Sequence, residues 1–159
     1  MYTVLKPKRN DFAGVRFVKE KVLGTAEGKG NVLVLGRPKY RFVWREFKTR
    51  KHFEDDLIEP TPPPLQRLLA THIRYLKKHV PDQNFLLLNT KLQPLSKNGL
   101  TKLLQPIFYK RVGKRIGSSD LRRLFLSDKY DIDAIKEKEQ THKEMMHSGK
   151  VAERFYIKK

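Results

Sequence analysis

Strand-like blocks of apolar residues occupy the first third of the chain, and helical spacing takes over after them. Residues 16–22, 31–35 and 40–47 are rich in Val, Phe and Tyr and are parted by Gly24, Gly28, Gly30 and Gly36. β-Branched and aromatic side chains suit a pleated surface, and the glycines between them supply turns, so the pattern predicts a small antiparallel sheet. The polar stretch KTRKHFEDD leads from it into Leu57 and Ile58, which puts Lys48 at a hairpin tip or strand end. The run PTPPP then stops the sheet, because proline has no backbone donor, and Pro64 fits the first turn of a helix.

From there the apolar residues recur every three or four positions. Leu65, Leu68, Leu69, Ile73 and Leu76 predict an amphipathic helix over residues 65–79. Residues 85–88 form a short apolar run after Pro81. Ser96 is placed to cap a second helix with the stripe Leu100, Leu103, Leu104, Ile107 and Phe108, in which Pro106 removes one hydrogen bond. Ser118 or Ser119 caps a third, with Leu121, Leu124 and Phe125 facing inward and Arg122 beside them. A fourth, highly charged helix opens at Asp131 or Asp133 and runs towards Met146; Ser148 and Gly149 break it, and a last helix over residues 150–157 carries Tyr156. Sheet first and helices after, with no internal repeat, predicts an α+β domain: a small sheet followed by a mainly helical bundle.

Composition narrows the partners. The chain has 159 residues, enough for one domain, and 38% hydrophobic content supplies a modest core. Lys and Arg number 35 against 17 Asp and Glu, a formal net charge of +18. Such a field attracts polyanions, nucleic acid first among them, although a solubilising charge excess alone would look the same. With no cysteine there is no disulfide and no thiolate-bound zinc. No apolar run approaches the ~20 residues of a membrane span, and the basic N-terminus is followed by no signal-like segment. A soluble, unsecreted protein is expected.

The candidate chemistry lies near the end, in MMHSGKVAERFYIKK, where His147 and Tyr156 stand nine residues apart. A tyrosine that attacks a DNA phosphate must lose its proton, the phosphate oxygens must be neutralised, and the leaving 5′-oxygen must be protonated. Arginine suits the second task through its planar fork of donors, lysine the third, and a largely neutral histidine can donate to a phosphoryl oxygen. Taken singly, Tyr156 beside Phe155 reads as a packing residue, and any one arginine or lysine as a solvated charge. His142 and His147, five residues apart, fall on different sides of a helix and so do not share a metal.

Four stretches in order change that balance. KRNDFAGVRF, EFKTRK, SSDLRRLFLS and MMHSGKVAERFY resemble the first-arginine box, the strand-turn lysine, the H-x-x-R box and the H/W-to-Tyr box of the tyrosine recombinases, also called the phage-integrase family. The spelling is most similar to integrases of virophages and large DNA viruses of eukaryotes, and the resemblance spans essentially the whole chain, residues 1–159, as a catalytic domain. It implies that Tyr156 is the nucleophile forming a 3′-phosphotyrosyl link, that Arg122 and Arg9 clamp the phosphate, that Lys48 is the general acid, and that His147 contacts the phosphate. Aligning Asp11 with the family's acidic position would put Lys8 in place of Arg9, and Lys51 and Arg50 rival Lys48. Ser119 stands where the H-x-x-R box has histidine; a serine donates a hydrogen bond but is no base near neutral pH.

The resemblance further implies double-stranded DNA as partner and neither metal nor ATP, because the phosphotyrosine conserves the phosphodiester energy. It implies action wherever host or viral DNA lies, in the nucleus or a cytoplasmic viral factory. Family members add an N-terminal helical DNA-binding domain and a C-terminal helix that docks on a neighbour. The chain starts shortly before Arg9, and only Ile157, Lys158 and Lys159 follow Tyr156, so both are expected to be missing. A monomer is therefore expected without DNA and an oligomer on it, a tetramer for the full-length form. A type IB topoisomerase and a DNA-binding module with a degenerate site are the alternatives.

Overall fold

Alternation within four short strands sorts the apolar residues onto two faces of one sheet. In a computed structural model of the chain the residues described are 1–25, 29–36, 38–130, 136, 137, 140, 141 and 144. Strands β1 (Arg16–Val18), β2 (Val32–Val34), β3 (Arg41–Trp44) and β4 (Leu57–Pro60) lie in that order across the sheet. Phe17, Leu33, Phe42 and Trp44 belong to the main core, whereas Val18, Val32, Val34 and Val43 form a smaller cluster with Val22 and Leu23.

The sheet is mixed rather than antiparallel. β1 and β2 run parallel, and β2–β3 and β3–β4 run antiparallel. A parallel pair needs a long return connection, which residues 19–31 provide, and part of the expected first strand is a 3-10 turn, Glu20–Val22, in that return. β4 begins at Leu57 and Ile58, the residues into which the polar link was expected to lead. Leu57 packs on the main core, but Ile58 is 63% exposed, while Glu59 turns inward, accepts from Trp44 Nε1 at 3.0 Å and pairs with Lys8 at 3.2 Å. Pro60 is tolerated because β4 is an edge strand. The outer edge of β1 is covered by the 84–86 segment, through Phe17 N–H to Asn84 O (2.8 Å) and Leu86 N–H to Val15 O (2.7 Å).

Helices α1 (Pro63–His79) and α2 (Lys97–Val112) pack on the main core. Pro63 and Pro64 occupy the first turn of α1, where their missing donors cost nothing. The Ser96 hydroxyl caps α2 by accepting from Gly99 N–H at 3.0 Å, and Gly113 ends it at φ 69°, a left-handed C-cap that glycine adopts without strain. Both helices bury a narrower stripe than expected, because strands of three or four residues offer a narrow platform. Leu65, Leu69, Ile73, Leu76, Leu100 and Leu104 are buried, whereas Leu68, Leu103 and Ile107 are exposed.

The chain divides into two compact units, Met1–Arg122 and Arg123–Lys159. Helix α3 (Ser118–Lys129) begins in the first, where Leu121 packs against the main core, and Leu124 beyond the division is exposed rather than inward-facing. Neither serine caps it. Gly117 precedes the helix, and its N–H donates to Asp120 Oδ2 at 2.9 Å, half of a capping box. In the second unit Lys136, Glu137, Gln140, Thr141 and Glu144 are helical, consistent with the charged helix expected there; its remainder, and everything expected beyond it, lies outside the described residues. No helix among the described residues is long and apolar enough to cross a membrane.

Phe12 is the centre of the main core. It is fully buried and meets Tyr2, Phe42 and Trp44 edge-on at 5.0, 5.5 and 5.1 Å between ring centroids. Phe12→Ala would open a cavity under three aromatic rings and should cost about 3–5 kcal/mol. Equilibrium denaturation checks this; a midpoint close to that of the parent chain would contradict it.

Candidate nucleic-acid interface

The β3–β4 connection carries Lys48, and a set of polar contacts holds it in shape. Asn31 Oδ1, at the start of β2, accepts from the N–H groups of Arg45 (2.9 Å) and Glu46 (2.8 Å), and Asn31 Nδ2 donates to Glu46 O at 2.8 Å. Asp56 pairs with Arg45 Nε at 2.6 Å and with Arg50 at 3.5 Å. Arg50 also donates to the carbonyls of Phe53 and Glu54, and Phe47 meets Phe53 edge-on at 5.3 Å.

These contacts separate the three rivals in KTRK. Arg50 is held by Asp56 and two carbonyls, so its guanidinium is spent on the loop. Lys48 and Lys51 are exposed and have no hydrogen-bond or ion-pair partner among the described residues. Lys48 lines an open groove of about 730 Å³, and Lys51 does not. The groove is bounded by Arg16, Lys29, Arg45, Lys48, Arg50 and Lys97 against the acids Asp11 and Glu46. It lies where β1 and β2 begin and β3 ends. Gly14, at φ 75°, also lines it.

The first-arginine segment lies beside this groove through Asp11 and Ala13. Lys8 is committed: its ammonium pairs with Glu59 and sits over the Trp44 ring, 5.6 Å from the centroid. Arg9 is exposed, and its guanidinium has no partner among the described residues. Its carbonyl accepts from the Tyr2 hydroxyl at 2.5 Å. Burial, and secondarily the Asp11 carboxylate, push the Tyr2 phenol well above its ordinary range, so it stays protonated as the donor.

Arg122 lies one turn into α3, half-buried and without a hydrogen-bond or ion-pair partner among the described residues; Ser119 is exposed on the first turn. His147 and Tyr156 lie outside the described residues. The structure therefore gathers Lys48 and Asp11 at one groove and leaves Arg9, Arg122 and Lys48 uncommitted. Arg16, Lys29 and Lys97 were not singled out in the sequence, because the groove draws them from separate stretches that no spacing links. Among the described residues no three His, Asp or Glu side chains cluster as a metal ion would need.

No protein-family model, curated protein or solved structure matches the chain.

Proposed function

We propose that the chain is the catalytic domain of a tyrosine recombinase, an integrase of a virus or mobile element that cleaves and rejoins double-stranded DNA through a 3′-phosphotyrosyl intermediate. The observation that carries the reading is Lys48, an uncommitted lysine at a cationic groove that its rival Lys51 does not line, while its other rival Arg50 is held in an ion pair. In the proposed mechanism Arg9 and Arg122 neutralise the two non-bridging phosphate oxygens and His147 donates a further hydrogen bond. The Tyr156 oxygen gives up its proton to solvent and attacks phosphorus as the bond to the 5′-oxygen breaks, and Lys48 gives that oxygen its proton. Rejoining reverses these steps with a second 5′-hydroxyl. Basic side chains along the groove would hold the flanking backbone without reading sequence.

Lys48→Ala should fail on an ordinary phosphodiester and recover on DNA with a 5′-bridging phosphorothiolate, whose sulfur leaves without protonation. Lys51→Ala should cleave both substrates. Rescue of Lys51→Ala in place of Lys48→Ala would move the general acid three residues along the loop.

A second reading is favoured by Ser119. With no histidine at that position the H-x-x-R box lacks a base, as in a module that binds DNA without cutting it. Binding with no covalent adduct on a nicked suicide duplex would select that reading.

A further inference from the structure

Two of the side chains flanking the Arg9 guanidinium are engaged, Lys8 by Glu59 and Asn10 by a residue far along the chain. Asn10 Nδ2 donates to Thr101 Oγ1 at 2.9 Å, joining the first-arginine segment to α2. Thr101 is free to accept because its own hydroxyl proton points to Lys97 O, 3.4 Å away and one turn back. On its methyl side Thr101 faces Gly117, near enough that an added β-carbon there would stand 3.9 Å from Thr101 Cγ2. Gly117 immediately precedes α3, the helix of Arg122. One threonine thus bonds the segment of one uncommitted arginine and neighbours the start of the helix that carries the other.

The other polar atom of the Asn10 amide, Oδ1, is buried and has no partner among the described residues. A buried acceptor without a donor is unfavourable, so the orientation of this side chain depends on the single bond to Thr101. Ala13 N–H in turn donates to Asn10 O at 3.0 Å, which ties the turn after Arg9 to the same residue.

We propose that Asn10 and Thr101 form a clasp that positions Arg9 relative to the start of α3, so that the two arginines are aimed before DNA binds. This rests on the strand-transfer reading above. Neither residue touches the phosphate; both are positioning residues, and their effect belongs to the rate of cleavage rather than to affinity. A misplaced fork of donors costs rate because the transition state demands alignment that ground-state binding does not.

The test is a double-mutant cycle of Asn10→Ala and Thr101→Val, with Thr101→Ser as the conservative variant. Thr101→Val breaks the bond from the other side, so the result does not depend on Asn10→Ala folding. Each single variant should slow single-turnover adduct formation at saturating DNA by about 10- to 100-fold. The double variant should be no slower than the slower single, because both remove one interaction. Thr101→Ser should restore the rate, and duplex affinity should hardly change throughout.

Independently of activity, modification of Arg9 by an arginine-selective dicarbonyl, mapped by mass spectrometry, should be blocked by duplex DNA in the parent chain and in Thr101→Ser but not in the two disrupting variants. Multiplying losses, an unchanged rate, or unchanged Arg9 protection would overturn the clasp. A parent chain that shows the protection pattern and forms no adduct would overturn strand transfer and leave the clasp standing.

Discussion

Tyr156→Phe should bind duplex DNA as tightly as the parent chain and form no covalent adduct with it. The substitution keeps the ring and removes only the hydroxyl oxygen that would attack phosphorus, so binding contacts persist while the chemical step has no nucleophile. The motive is the nine-residue spacing from His147 to Tyr156 in a chain of net charge +18. Retained affinity with abolished adduct on a nicked suicide duplex is the expected pair of results. A full-strength adduct from the Phe variant would remove the tyrosine mechanism.

Arg122→Ala should lower cleavage at saturating DNA on the order of 10²- to 10³-fold, the effect of removing one positioned donor from developing negative charge. Affinity should change only modestly, because one phosphate contact among many is lost and the salt dependence falls by roughly one counterion. The asymmetry follows from the position of Arg122, half-buried one turn into α3 and without an ion-pair partner among the described residues. Equal losses in binding and single-turnover cleavage would make Arg122 an ordinary contact to the DNA backbone.

The helices were legible because their signals are local. Ser96 caps α2, the prolines open α1, and Leu65, Leu69, Ile73 and Leu76 recur at helical spacing. The sheet was legible only in part. A period-two pattern does not encode strand direction, so the parallel pairing of β1 and β2 was hidden in it. The extent of β4 was hidden because Glu59 turns inward beside Leu57, satisfied by Trp44 and Lys8 from elsewhere in the chain, while the aliphatic Ile58 faces solvent.

The candidate site divides in the same way. The residue types and their order were present in four short stretches, and the place of Lys48 in the turn between two strands followed from the polar run around it. The choice between Lys48 and Arg50 depends on Asp56, and that between Arg9 and Lys8 on Glu59. Both carboxylates come from later in the chain and carry no motif. The cationic groove is likewise a product of folding, since Arg16, Lys29, Lys48 and Lys97 meet only through the arrangement of β1, β2, the β3–β4 connection and α2.

The most direct test of strand transfer is to incubate the chain with a nicked suicide duplex in excess chelator, digest the product and locate the DNA-bearing peptide by mass spectrometry. A covalent adduct on Tyr156 that persists with chelator present is the expected result. Attachment at any other residue, or an adduct that forms only when a divalent ion is supplied, would contradict it.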